Sequence, residues 1–188
     1  MPFEACGSFV FEGITYTNDT ILYDTLTAGG STGGGAACPE LYFSEYAEGS
    51  SNNKYIEIYN GTGAPVNLAN YTLERYNNGA TAASGTQALS GMLANNDVYV
   101  IYNSSASAVI SAAGDLSSNI TFYSGDDAVA LFNNGTMIDL IGNIGCDPGT
   151  SWSNGALNTK EQTLFRNANY NTGVTSDPAN TTCAFPSL

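Results

Sequence analysis

Short alternating apolar segments, each closed by a turn signal, constrain this chain more than any other feature. Side chains alternate between apolar and polar in Leu41–Tyr46 and in Lys54–Tyr59, and Asn133-Asn134-Gly135 separates two further segments. A period of two is that of a β-strand, and an Asn-Gly pair favours a hairpin. The predicted strands lie at 41–46, 54–59, 66–73, 97–102, 120–123, 127–132, 136–141 and 163–166. The seven strands that precede the short last one at 163–166 predict an all-β fold, an antiparallel β-sandwich of the immunoglobulin type.

The chain divides at one glycine-rich stretch. Residues 29–37 carry the Gly/Ser run that is typical of a flexible linker. Before it, residues 1–28 form a short β appendage of three predicted strands, and after it residues 38–188 form the sandwich. Within the sandwich, the Ala/Ser-rich stretch 105–113 predicts one short helix.

Composition predicts an extracellular or cell-surface protein and limits the partners that it can bind. Charged residues make up only 11 % of the 188 residues, so Asn, Thr, Ser, Gly and Tyr must form most of the surface, as in extracellular β proteins. Seventeen Asp and Glu oppose four Lys and Arg, which gives a net charge of −13. Four scattered cations predict no direct nucleic-acid binding. No apolar run approaches the ~18 residues of a membrane span, so we expect no membrane insertion.

Four cysteines suggest two disulfides in an oxidising compartment. Their order along the chain favours Cys6 with Cys38 and Cys146 with Cys183. Each bond would close a loop long enough to stabilise the fold by ~3–4 kcal/mol. The alternative is four free, buried thiols in a reducing compartment.

Catalytic machinery is not recognisable in the sequence. The chain has no His, which excludes Ser/His/Asp and Cys/His arrangements and a histidine general base. It also lacks the glycine-rich phosphate loop that is followed by Lys and Ser or Thr. We therefore expect a protein that is not an enzyme and that requires no cofactor.

Acidic residues offer one candidate metal site. Asp126 and Asp127 are adjacent, and together with Asp139 or loop carbonyls they would supply oxygen ligands for Ca²⁺. Neighbouring strand residues point to opposite faces, so the pair alone cannot hold one ion. The alternative is a turn-capping Asp126 and a structural Asp127.

Two further groups lie on the first two predicted strands. Glu45 shares a face with Leu41 and Phe43, and a buried carboxylate needs a partner. We therefore predict a structural ion pair among Glu45, Lys54 and Glu57, with a ligand site as the alternative. The four tyrosines of these strands predict an outward aromatic stripe for protein or glycan, or else ordinary surface aromatics. They are Tyr42, Tyr46, Tyr55 and Tyr59.

Several motifs, in order, resemble the prokaryotic lamin tail domain. They are Leu41-Tyr-Phe-Ser-Glu-Tyr46, Glu48-Gly-Ser-Ser-Asn-Asn-Lys54, Ile56-Glu-Ile-Tyr-Asn-Gly-Thr62, Ser124-Gly-Asp-Asp-Ala-Val-Ala-Leu131, Ile138-Asp-Leu-Ile-Gly142 and Cys146-Asp-Pro-Gly149. The resemblance covers about residues 38–188. It is greatest to lamin tail domains of large secreted bacterial nucleases and phosphatases. It implies an immunoglobulin-like β-sandwich with a non-catalytic role.

The resemblance frames three functional hypotheses. The first is a binding or positioning module of a larger secreted or cell-surface bacterial protein, accessory to a nuclease or phosphatase. The family pattern continues beyond Leu188, so we expect a longer polypeptide. The second is a structural subunit of an extracellular filament or adhesin, a homo-oligomer built by strand addition. The third is a Ca²⁺-dependent adhesion domain.

The appendage around Cys6 resembles Cys-containing β repeats of secreted Bacteroidetes proteins.

Overall fold

The fold is a two-sheet β-sandwich. The structure is a computed structural model, and it describes residues 37–155, 157–167, 170–178 and 183. The appendage 1–28 and nearly all of the linker lie outside the described residues, so the division of the chain into three parts stays a prediction. In the described part, no helix is long and apolar enough to span a membrane.

Thirteen strands are formed by the described residues. They are β1 (Tyr42–Glu48), β2 (Lys54–Asn60), β3 (Val66–Asn67), β4 (Tyr71–Tyr76), β5 (Gly85–Ala88), β6 (Met92–Leu93), β7 (Asp97–Tyr102), β8 (Leu116–Ser117), β9 (Ala128–Asn133), β10 (Thr136–Ile141), β11 (Ser153–Asn154), β12 (Leu157–Asn158) and β13 (Gln162–Phe165). One α-helix, α1 (Ala108–Ala113), falls within the predicted helical stretch.

Two larger sheets make the sandwich. The five-stranded sheet has the order β13-β1-β2-β7-β8, and the four-stranded sheet has the order β10-β9-β4-β5. All neighbours are antiparallel except β7 and β8. The core lies between the sheets and is formed by side chains from one face of each sheet. Ile56 and Ile58 of β2, Leu73 of β4 and Leu131 of β9 are at most 1 % exposed. The predicted sandwich class is therefore confirmed.

Two predicted strands differ in the structure. The strand predicted over 66–73 is interrupted by a 3-10 helix, Leu68–Asn70, which separates β3 from β4. Residues 120–123 were expected to be extended, but Asn119–Thr121 form a 3-10 helix. The hydroxyl of Ser118 accepts a hydrogen bond from the Ile120 N–H, and the Phe122 N–H donates to the carbonyl of Asn119. Ile120 and Thr121 are both buried in this capped turn, and a short apolar pattern alone does not distinguish such a turn from a strand.

Candidate functional site: ionisable groups of the sandwich

A β-bulge in β1 decides which side chains of this strand face the core. The pairing of β1 with β2 shifts register between Phe43 and Glu45, so that Glu45 pairs with Glu57 and Tyr46 with Ile56. The extra residue moves the side chains that follow it to the opposite face. Phe43 and Tyr46 therefore both enter the core, and Glu45 turns away from it. The predicted face shared by Leu41, Phe43 and Glu45 ends at the bulge.

The expected outward tyrosine stripe is not formed. Tyr46 is 1 % exposed and its ring stacks on that of Tyr123, with centroids 4.8 Å apart. Tyr42 and Tyr59 are on the outer side of the sheet, but they are 4 % and 6 % exposed and pack against each other. Tyr55 is half-buried and its hydroxyl donates to Glu45 Oε1. The bulge and this packing replace the exposed aromatic surface that strict alternation predicts.

Two carboxylates lie opposite each other on the outer face of the five-stranded sheet. Glu45 of β1 and Glu57 of β2 are direct cross-strand partners, and both are half-buried. The Ser44 hydroxyl donates to Glu57 Oε1 at 2.7 Å. Val100 of β7 pairs with Glu57 and adds an apolar neighbour. We call Glu45 and Glu57 the outer-face pair.

The outer-face pair is electrostatically unfavourable. Burial raises the pKa of the Glu45 carboxyl to about 8, and the nearby charge of Glu57 adds to the rise, while the Tyr55 hydrogen bond opposes it. Burial also raises the pKa of Glu57, against the hydrogen bond from Ser44. Near neutral pH, Glu45 therefore holds a proton for much of the time.

The lysine predicted for this pair is elsewhere. Lys54 Nζ lies 3.1 Å from Glu48 Oε1 and donates to the Tyr123 carbonyl oxygen at 2.7 Å. The hairpin register makes Glu48 the cross-strand partner of Lys54, while Glu57 pairs with Glu45. The predicted ion pair of Lys54 with Glu45 or Glu57 is thus corrected to Lys54 with Glu48. A bridge across the first two strands does exist, with a different acid.

A second carboxylate has the positively charged partner and the backbone N–H donors that the outer-face pair lacks. This is Asp139, and we call Asp139 with its partner Arg166 the Asp139 junction. Asp139 is 0 % exposed, and its Oδ2 lies 2.5 Å from Arg166 Nη2. The same oxygen accepts from the Phe43 N–H at 2.7 Å, and Oδ1 accepts from the N–H groups of Leu140 and Val174. Burial raises the pKa of Asp139, and the Arg166 guanidinium and these three N–H donors oppose the rise.

The Asp139 junction ties the two sheets together. Asp139 belongs to β10, whereas Phe43 is in β1 of the other sheet. Arg166 follows β13 and also donates from Nε to the Phe43 carbonyl oxygen at 2.7 Å. Gly173 lies close against the acid, since a Cβ there would be 2.7 Å from Asp139 Cβ and 2.1 Å from the Ile138 carbonyl oxygen. Only a residue without a side chain fits at this position.

The three aspartates predicted for Ca²⁺ do not come together as one group. Asp127 accepts hydrogen bonds from the N–H groups of Ser124 and Asn78, which is the structural role weighed against metal binding. Asp139 is held in the Asp139 junction, and Asp126 is half-buried with Oδ1 unpartnered. Over the described ranges, no group of three His, Cys, Asp or Glu is placed to hold a metal ion. Calcium binding stays a hypothesis.

One of the two predicted disulfides is present. Cys146 and Cys183 are bonded, with Cα atoms 5.4 Å apart and 37 residues between them in sequence. Cys38 is disulfide-bonded and 2 % exposed, but its expected partner, Cys6, lies outside the described residues. The pairing of Cys6 with Cys38 therefore stays a prediction.

Sequence reasoning missed two arginines. Arg166 was not assigned a role, although Asp139 is fully buried and Arg is the usual partner of a buried carboxylate. Arg75 is the last residue but one of β4, and its Nη1 donates to the Asn119 carbonyl oxygen at 2.9 Å, at the rim of a cleft between the two sheets. Because the chain has only four cations, each of them is a candidate partner for a buried acid, and this scarcity is the sequence feature that points to Arg166 and Arg75.

The comparisons with known proteins agree with this architecture. The family model described as Lamin Tail Domain matches residues 35–145, which is more than half of the chain. No curated protein matches the chain. The matched region contains both sheets except for β13, and it ends before the disulfide. The chain belongs to the lamin tail domain family.

Proposed function

We propose that the chain is a non-catalytic binding and positioning module of a larger secreted or cell-surface bacterial protein, accessory to an extracellular nuclease or phosphatase. The observation that carries this proposal is the use of the buried acids. Asp127 and Asp139, the two buried aspartates among the described residues, accept hydrogen bonds from backbone N–H groups within the fold. An acid held in this way is not poised to take a proton from a substrate.

The rest of the chain supports a role in surface contacts. It contains no His, and its four cations are spread over β2, β4 and the segment around β13. The Cys146–Cys183 bond fits an oxidising environment such as the cell exterior. A rigid sandwich with a covered core supplies strand edges and loops to partners while contributing no chemistry.

The mass of the native polypeptide tests the proposal. An antibody raised against residues 38–188 would be used to blot the producing cells and their medium, under reducing conditions. A band far above 19.6 kDa, in the medium or at the cell surface, is the expected result. A band near 19.6 kDa in the cytosol would reject both the accessory role and the location.

An edge strand favours the second candidate function, a structural subunit of an extracellular filament or adhesin. β13 ends the five-stranded sheet, so one of its edges has no neighbouring strand among the described residues. Phe165 of this strand is 66 % exposed. A free edge beside an apolar side chain is suited to accept a strand from another copy.

Sedimentation separates this second function from the first. The purified chain would be run over a hundredfold concentration range, with and without CaCl₂, which also tests the calcium-dependent adhesion hypothesis. Self-association that Phe165→Lys removes and that Leu157→Lys leaves intact would support assembly through β13, since Leu157 is similarly exposed at 52 % but lies in β12. A monomer under all conditions would reject the filament subunit.

A further inference from the structure

A polar cleft lies between an edge of each large sheet. It has a volume of about 440 Å³ and is lined by the end of β4, by β5, by β8 and by the 3-10 helix at Asn119–Thr121. β5 ends the four-stranded sheet and β8 ends the five-stranded sheet, so the cleft opens where the sandwich has no further strands among the described residues. This volume is within the range of small-molecule sites.

The charge of the cleft is opposite to that of the molecule. Arg75 is the one cation among the lining residues, and none of them is Asp or Glu. The whole chain, by contrast, carries 17 acids against four cations, of which Arg75 is one. The lining carries Arg75 without a carboxylate, while the charge of Arg75 also favours the ionised form of Asp127, which lies outside the lining. An anionic group in the cleft is therefore attracted by an arginine that it shares with Asp127.

The guanidinium of Arg75 has unused hydrogen-bonding capacity. Its Nη1 donates to the carbonyl oxygens of Asn119 and Ile120, which fixes the plane of the group. Its Nε is buried and makes no hydrogen bond. Its Nη2 makes no hydrogen bond with the described residues and, unlike Nε, is not enclosed by the protein, so a ligand oxygen in the cleft can accept from Nη2.

Gly85 keeps the guanidinium accessible. A Cβ at this position would lie 3.6 Å from Arg75 Nη2 and 3.6 Å from Ile120 Cδ1, in ordinary contact. A side chain here would therefore fit the strand but extend over the arginine. The absence of one leaves room for a ligand group next to Nη2.

The remaining lining is rich in hydroxyl groups. Ser84, Thr86, Ser104 and Ser117 are exposed lining residues, and Gln87 and Asn119 add amides. Hydroxyl and amide groups donate and accept, as the hydroxyls of a sugar do. The lining thus matches a ligand with one anionic group and several hydroxyls.

We propose that this cleft binds an acidic sugar, with the carboxylate of a uronic acid unit on Arg75 and the sugar hydroxyls on the serine-rich walls. The inference deepens the proposed binding role by naming a ligand class. Its test reads ligand binding by the chain, so its failure is distinguishable from a failure of the native-mass experiment.

An NMR titration of the ¹⁵N-labelled 188-residue chain tests the proposal. Galacturonate is the probe, and galactose is its matched neutral control. We expect galacturonate to shift the amide signals of Gly85, Gln87 and Asn119 in a saturable way. Galactose should bind at least tenfold more weakly, and added salt should weaken galacturonate binding.

Three variants separate this site from general anion attraction. Arg75→Gln and Gly85→Val should each weaken galacturonate binding at least tenfold, the first by removing the cation and the second by covering it. Lys160→Gln removes the same charge at an exposed position and should change affinity less than twofold. Spectra of each variant without ligand show that the fold is kept, and Gly85→Val decides the question if Arg75→Gln unfolds.

Several results would overturn the proposal. These are equal binding of galactose and galacturonate, inorganic phosphate binding as tightly as galacturonate, or full affinity in Gly85→Val. Signal shifts confined to residues outside the cleft would also reject it.

Discussion

The Asp139 junction and the outer-face pair use the same kind of group in opposite ways. Asp139 is fully buried and meets a guanidinium and three backbone N–H groups. Glu45 and Glu57 are half-buried and meet each other, with one hydroxyl donor each. The first arrangement offsets the cost of burying a carboxylate, and the second leaves that cost largely in place.

This difference in the partners of the carboxylates indicates which of the two regions stabilises the fold. The Asp139 junction joins β1, β10 and the segment after β13, so its loss would loosen the contact between the sheets. The outer-face pair crosses only between neighbouring strands of one sheet, and those strands are held by their own ladder. We therefore expect Asp139 to stabilise the fold, and the ionised outer-face pair to lower its stability.

Breaking the Asp139 junction should have the largest effect. Asp139→Asn keeps the shape of the side chain but leaves the Arg166 charge buried without its partner. We expect a loss of about 3–5 kcal/mol in the free energy of unfolding. Urea denaturation measures it, and Asp97→Asn at an exposed position should cost less than about 1 kcal/mol. A loss no greater than that of the control would contradict the role of the junction.

The close approach of Gly173 tests the same junction from the other side. Gly173→Ala would place a methyl group against Asp139 and the Ile138 carbonyl, and must push the segment away. We expect a loss of about 1–3 kcal/mol. Gly91→Ala is a poor control because its φ is +99°, so Gly85→Ala, which has room for a Cβ, serves instead. Equal stability of the two variants would show that the approach is not tight.

The outer-face pair should respond to pH and to neutralisation in the opposite direction. The folded-state pKa of Glu45, about 8, is above its ordinary value of 4.5. Stability is therefore highest below pH 4.5 as far as this group is concerned, and it falls as pH rises through 8. Glu45→Gln should stabilise the chain at pH 8 by about 1–3 kcal/mol, after allowance for solvent screening.

Thermal and urea unfolding between pH 5 and pH 9 measure this effect. The gain from Glu45→Gln should shrink towards pH 5, and Glu161→Gln, at an exposed site, should show no such trend. If Glu45→Gln destabilised the chain at pH 8, the carboxylate would have a favourable partner and the comparison would fail.

The Lys54–Glu48 bridge is intermediate between the two regions, and its removal should have the smallest effect. Its side chains are 13 % and 9 % exposed, and Lys54 also bonds to the Tyr123 carbonyl oxygen. Lys54→Gln should cost about 1 kcal/mol, because Glu48 keeps the hydrogen bond from the Glu161 N–H. The double variant with Glu48→Gln measures the coupling, and a coupling near zero would mean that the bridge contributes nothing.

Most of the fold could be predicted because longer strands show alternating apolar and polar side chains and end at recognisable turn residues. The segments around Ile56, Val100 and Leu131 all became strands, and the lamin tail resemblance added their arrangement. Short strands such as β5 and β8 were missed, since two to four residues are too few to show an alternating pattern. Residues 120–123 were misassigned because a capped turn also buries apolar side chains.

The candidate site was less predictable, because one bulge changes the face of everything that follows it. The bulge at Ser44 places Tyr46 in the core and Glu45 outside it, which reverses the sequence prediction for both residues. The same register shift makes Glu48 the cross-strand partner of Lys54. The Arg166–Asp139 contact joins residues that are 27 positions apart, and no local pattern encodes it.

An activity assay of the pure chain tests the central claim, that its buried acids stabilise the fold and perform no chemistry. The 188-residue chain would be incubated with a phosphate monoester, a phosphodiester and DNA, each with Mg²⁺, Ca²⁺ or chelator. We expect no turnover above that of buffer under any of these conditions. Turnover that Asp127→Asn abolishes in a folded variant would contradict it.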